Sequence, residues 1–281
     1  MPDHDAGLQR SSAAAGDSVA LSLDGGQLLS WVCEGRERLF VSANAVGGRG
    51  RSIRGGVPVI FPQFGLFGPG AKHGFARLQR WQATDAGAGV AGAVAAELRD
   101  SPETLAVWPH PFRLRLLARL GPRSLTITLS VHNTGVAPFA FAAALHTYLA
   151  VDDVAGCRLH GLERRAYLDC AGGDRVPAVH GDAPLVFDGE VDRVYRGVDD
   201  VVIGGSGDSM RIGARAFTDT VVWNPGAGLA AGLADLGATQ QPRFVCVESA
   251  IVTVPQPLAP GAAWHGEQHL AVTANPTSFP H

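Results

Sequence analysis

Two polar residues stand in stretches that are otherwise almost wholly apolar. His146 falls in FAFAAALHTYLAV (139–151), a nearly continuous apolar run of the kind expected for a strand inside a packed sandwich. Period-two alternation puts Ala142, Ala144, His146 and Tyr148 on one face. Two small residues beside a histidine and a tyrosine leave room for a ligand, although a lone histidine there can equally be a satisfied core residue. Glu248 falls in RFVCVESAIV, on the same face as Phe244 and Cys246. A carboxylate in such a run is costly to bury without partners or a wet cavity; the alternative is an edge-strand charge that discourages aggregation. An imidazole and a half-buried carboxylate are the groups that proton-transfer chemistry near neutral pH requires.

The densest stretch of the chain is IRGGVPVIFPQFGLFGPGAKHGFARLQRW, residues 53–81. Its glycines and prolines exclude a regular helix, and long shaped loops of this kind are usually functional. It carries Arg54, Lys72, His73, Arg77 and Arg80. Three or four of these cations gathered together would form an anion site, since guanidinium groups bind phosphate oxygens through paired hydrogen bonds; solvated loop charges are the plainer reading. No phosphate-binding GxxxxGK[ST] pattern is present. Asp192, in EVDRVYRG, is a ligand carboxylate or a turn acceptor. Trp223 and Asn224, in TVVWNPG, offer a sugar a stacking face and an amide, or else form a core tryptophan and a turn asparagine.

The elements that must hold these residues read as strands. SVALSL (18–23) and QLLSWVC (27–33) flank a Gly-Gly turn, and FRLRLLARLG and SLTITLSVHNTG alternate around Gly121-Pro122. Only GLAAGLADLG (228–237) reads as a short helix, weakened by Gly232. Many short strands with turn signals between them predict an all-β sandwich or barrel with very little helix. Without repeats, linker or composition break, the expectation is a disordered tail over residues 1–16 and a single domain over 17–281.

Composition agrees. Of 281 residues, 46 % are hydrophobic and 17 % charged, enough for a substantial core. The net charge of −3 favours neither nucleic acid nor an anionic membrane, so an anionic substrate needs a local cluster of cations. The four cysteines form no CxxC pair and fit no zinc site. They are expected to be buried thiols in a reducing compartment. No apolar leader or membrane-length run occurs, which suggests a cytoplasmic protein.

Taken in order, IRGGVPVIFPQFG (53–65), HGFAR (73–77), LHTYLAV (145–151), DRVY (192–195), VVWNPG (221–226) and FVCVESA (244–250) resemble the aldose 1-epimerase superfamily, most of all its glucose-6-phosphate 1-epimerase branch. The resemblance spans roughly residues 20 to 272. It implies a large twisted antiparallel β-sandwich and a small-molecule sugar phosphate as substrate, with no cofactor and no metal. The protein would be a monomer or weak homodimer. It implies His146 as general acid and Glu248 as general base. It implies that Arg54 and Arg77 contact the phosphate and that Asp192 binds sugar hydroxyls, with His73 lining the site. The branch often has glutamine before the HG pair where this chain has Lys72, a change that would strengthen phosphate binding. A neutral aldose is the alternative substrate, and a non-catalytic carbohydrate-binding module the alternative function. Glycoside hydrolysis normally needs two carboxylates, and only Glu248 has a suitable setting in the sequence.

Overall fold

Phe112–Gly121 and Ser124–Asn133 show how the sandwich is built. Both strands alternate buried and half-exposed residues, and they pair antiparallel from Phe112↔Asn133 to Gly121↔Ser124 around a two-residue turn. Leu114, Leu116, Ile127 and Leu129 therefore point inward. The same logic repeats through the chain in a computed structural model that describes residues 7–273 apart from 14–15, 49, 88–89, 206–207 and 238. Strands make up 50 % of the described residues and helices 9 %, as an all-β sandwich requires.

Two eight-stranded antiparallel sheets face each other. One runs in the order Val176–Val179, Ala166–Asp169, Val191–Arg196, Asp219–Asn224, Phe244–Leu258, Phe139–Leu145 and Val59–Ile60, with Tyr148–Ala150 also paired to Phe244–Leu258. We call this the site sheet. The other includes Ser209–Arg215, Ala263–Thr273, Ser124–Asn133, Phe112–Gly121 and Ala93–Arg99. Between them lies one continuous core, where Phe141, Leu145, Val245, Val247 and Ile251 meet Leu116, Leu129 and Leu270. A smaller sheet, Leu8–Ser12, Ser18–Ser22, Gln27–Cys33 and Arg36–Glu37, completes the fold.

Three details differ from the sequence reading. Leu8–Ser12, placed in the tail, forms a strand against Ser18–Ser22; its side chains are only half-buried, so apolar patterning gave no signal. The rest of that proposed tail, residues 1–6 and 14–15, lies outside the described residues. The helix expected over 228–237 spans Gly226–Ala230 and ends in turns. A second helix, Pro102–Val107, was not anticipated, though Ser101 and Thr104 form a reciprocal capping box with proline in the first turn.

Candidate active site

The register of the site sheet brings the site together. Leu145 pairs with Ser249 and Tyr148 with Cys246, so His146 lies directly across from Glu248. The ladder opens there: the His146 amide donates to Pro58 O, and Thr147 O accepts from the Val247 amide. On the core side, Thr147 Oγ1 donates to Gln268 Oε1 at 2.6 Å, and Gln268 Nε2 donates to Val247 O at 3.2 Å. This buried bridge ties the interruption to the opposite sheet. Asp192, Trp223 and Cys246 share a second row, and Val194, Val221 and Glu248 a third, all on the face away from the main core.

That face floors a cavity of about 540 Å³, lined among others by Arg54, Lys72, His73, His146, Asp192, Trp223 and Glu248, a size typical of small-molecule sites. It adjoins a lobe of about 170 Å³ lined by Arg54, Lys72, Arg77, His73, His146, Tyr148 and Asp235. The two lobes thus bring together the seven residues to which the resemblance gives roles, His146, Glu248, Arg54, Lys72, His73, Arg77 and Asp192, along with Trp223. Arg80 does not join them; it pairs with Asp24 at 2.9 Å.

His146 Nδ1 lies 3.4 Å from Glu248 Oε1. His146 is 9 % exposed and Glu248 1 %. Neither His146 Nδ1 nor Glu248 Oε2 has a hydrogen-bond partner. Glu248 sits on a central strand, not an edge. Burial pushes its carboxyl well above the usual range, with Asp192 adding to the effect. Burial pushes His146 well below the usual imidazole range, and His73, Arg77 and Arg54 act in the same direction. Burial thus disfavours the charged form of each group, and the two titrate as a pair that shares a proton. Tyr148 stacks on the imidazole, centroids 4.9 Å apart and planes 10° apart, and Trp223 meets it edge-on at 6.0 Å.

The loop after Val59–Ile60 carries the remaining groups. His73 adopts a left-handed φ of 65° followed by Gly74, also at 65°. A Cβ on Gly74 would lie 2.2 Å from Phe61 O, so glycine is required there. The Gly65 amide donates to His73 Nδ1 at 3.2 Å, leaving that nitrogen unprotonated. Burial, reinforced by Arg77, Lys72 and Arg54, pulls the His73 pKa down to about 3. Gln63, missed in the sequence, braces the loop by donating to Gly65 O and Gly70 O and accepting from the Gly70 amide.

Arg54 donates through Nε and Nη2 to the two oxygens of Asp235, both at 3.1 Å, and through Nη1 to Tyr148 Oη at 3.3 Å. Arg77 donates to Lys72 O at 3.1 Å, while its buried Nε has no partner. Asp235 was not anticipated, because a half-exposed loop aspartate carries no sequence signal. Asp192 is pushed up to about 6, by burial first and by Glu190 second, with Lys72 opposing. It shares the cavity with Glu248. Asn224 proves structural: it donates to Gln241 O and Phe244 O and accepts from the Gly226 amide. Among the described residues no group of three or more His, Cys, Asp or Glu side chains is arranged to hold a metal.

The fold is that of the mutarotase-like β-sandwiches: a Synechocystis sp. PCC 6803 protein of known structure superposes with a TM-score of 0.81 at 18 % identity, over 95 % of this chain and 96 % of that one. A family model described as aldose 1-epimerase matches residues 10–271, and the chain belongs to that family. A Salmonella typhimurium protein described as a "putative mutarotase" superposes with a TM-score of 0.83 at 29 % identity, over 92 % of this chain and 88 % of that one. Proteins named "Putative glucose-6-phosphate 1-epimerase" from Cenchrus ciliaris and Escherichia coli are 36 % and 34 % identical, covering 92 % and 90 % of this chain and 81 % and 86 % of theirs. The chain is therefore an epimerase, an enzyme of carbohydrate metabolism. Among the described residues no helix is long and apolar enough to cross a membrane.

Proposed function

We propose that this enzyme interconverts the α and β anomers of a hexose 6-phosphate, with glucose 6-phosphate the first candidate. The observation that carries the reading is the join between two lobes. An unpartnered imidazole–carboxyl pair lies under the larger lobe, and Arg54, Lys72 and Arg77 line the smaller one beside it. A pyranose over Glu248, Asp192 and Trp223 would place its phosphate among the cations.

The chemistry needs only proton transfers. Glu248, as carboxylate, takes the proton of the C1 hydroxyl while His146, as imidazolium, protonates the ring oxygen. The C1–O5 bond breaks and C1 becomes an aldehyde. Rotation about C1–C2 presents its other face, and the same two groups run the steps in reverse. The two oxygens are attached to one carbon, which suits an acid and a base only 3.4 Å apart. Each positioned group supplies about 10²–10⁴-fold. Asp192 and Trp223 would hold the ring, and His73, neutral and fixed by the Gly65 amide, would act as a polar wall. The four free cysteines, three of them buried, fit a cytoplasmic setting.

A neutral aldose remains a second reading because Asp235 already compensates Arg54. Saturation-transfer NMR of anomer exchange on glucose 6-phosphate and on glucose decides between them. The proposal expects faster exchange of the phosphate ester, and its loss in both H146N and E248Q while their circular dichroism stays that of the wild type. Equal rates on the two sugars would remove the phosphate from the assignment; wild-type rates equal to buffer would remove the activity.

A further inference from the structure

The smaller lobe does more than supply a handle. His146 lies on the wall between the lobes, and charged and titratable groups surround it from several elements. From the loop segments come Arg54, Lys72, His73 and Arg77; from the site sheet Tyr148, Cys246, Glu248 and Asp192; from the loop after Gly226–Ala230 comes Asp235; and around the larger lobe stand Cys170, Asp174, Arg175 and Glu190. His73 stays neutral, with its ring centroid 5.6 Å from that of His146. Three cations and one carboxylate leave the smaller lobe with a net charge of +2. A phosphomonoester carries about −1.5 to −2 at pH 7, enough to cancel it. The same cations that would hold the ester bear directly on the imidazole, in a dry wall where such fields are strong.

We propose that a phosphomonoester bound between Arg54 and Arg77 is also an electrostatic trigger, moving the shared proton of the pair from Glu248 to His146 and so arming the site only when a phosphorylated sugar is seated. The step is balanced: an O–H bond at the Glu248 carboxyl breaks, an N–H bond at His146 forms, and no proton enters or leaves. It converts a neutral pair into the carboxylate and imidazolium that ring opening requires. Once O1 has given its proton to Glu248 and O5 has taken one from His146, the pair is again carboxyl and imidazole. The field of the protein thus favours the proton distribution of the open-chain intermediate, and the ester offsets that bias to start the reaction.

The inference rests on the proposed hexose-phosphate reading and has its own readout. Imidazole ¹⁵N shifts of His146, assigned by their loss in H146N, are followed from pH 5 to 8 with and without saturating inorganic phosphate. Phosphate is expected to move the His146 ¹⁵N signals toward those of the imidazolium at each pH, a rise of about tenfold or more in its protonated-to-neutral ratio. In R77Q the phosphate-free signals begin nearer the imidazolium position and the phosphate-induced change shrinks. In parallel, anomer exchange of xylose, which is glucose without its C6 arm, is expected to rise at least about tenfold on adding phosphite dianion. Phosphate binding by calorimetry with no movement of His146 overturns the trigger and leaves the substrate reading intact. No phosphate binding, together with equal rates on glucose and its 6-phosphate, overturns both.

Discussion

Asp192 gives a quantitative test of how burial and charge are set in this cavity. Burial pushes its carboxyl up to about 6 from an ordinary value of 3.8, so the folded state holds this proton more tightly than the unfolded chain. Between those two values the folded state binds more protons, and stability falls as pH rises. The shift of roughly two pH units corresponds to about 3 kcal/mol; the cost is absent below about pH 4 and complete above about pH 6. In D192N the side chain keeps its shape and loses the titration. The variant should therefore gain on the wild type through that window and hold a constant advantage of up to about 3 kcal/mol above it. Urea unfolding followed by tryptophan fluorescence at pH 4, 5, 6, 7 and 8 measures the difference. Exchange activity should fall in the same variant, because an amide accepts fewer hydrogen bonds from sugar hydroxyls. A stability difference that is flat with pH, or that grows toward acid, would show that Asp192 is held ionised by Lys72 and that burial is not the dominant influence.

Three further outcomes follow from named contacts. R54Q should raise the KM for glucose 6-phosphate about 10- to 100-fold with little change for glucose, since one charge-assisted phosphate contact is worth about 1.5–3 kcal/mol; steady-state kinetics on both sugars checks it. T147V strands the Gln268 amide between the sheets and should cost about 1–3 kcal/mol in thermal unfolding, with a loss of turnover larger than the loss of binding because His146 loses its anchor. In G56A a Cβ would lie 2.0 Å from Leu28 O at a φ of +60°, so the variant should lose about 3 kcal/mol or more and expose the site loop to limited proteolysis.

The face that His146 and Glu248 share with their strand neighbours was legible; the register was not. Alternation in FAFAAALHTYLAV and RFVCVESAIV assigns His146 and Glu248 to the ligand side of their strands, and the structure agrees. What makes them a pair is the ladder that puts Leu145 against Ser249 and Tyr148 against Cys246. A slip of one residue would turn Glu248 into the core. Nothing local encodes that choice; it comes from packing Leu145, Val245 and Val247 against the opposite sheet. The Thr147–Gln268 bridge and the Arg54–Asp235 pair escaped for the same reason, joining residues that only the folded chain makes neighbours. Arg80 was grouped with the other loop cations by proximity in sequence, yet Asp24 draws it elsewhere.

Asp219 and Glu248 show what the fold adds to residue type. Both are carboxyls on adjacent central strands of one sheet, exposed by 0 % and 1 %. Asp219 accepts from the Val252 and Thr253 amides and from the Thr218 and Thr253 hydroxyls. Those bonds occupy both carboxyl oxygens and tie the start of one strand to its neighbour. Glu248 has an oxygen with no hydrogen-bond partner at all, and a neutral imidazole at 3.4 Å. A buried oxygen without a partner costs about 1–3 kcal/mol, and the cost is tolerated because the core beneath it is continuous. The bond withheld from Glu248 leaves its oxygen for a sugar hydroxyl to complete. Reactivity here arises from what the sheet declines to satisfy: donors placed around Asp219 make a strut, and the unpartnered oxygen of Glu248 is left for the substrate.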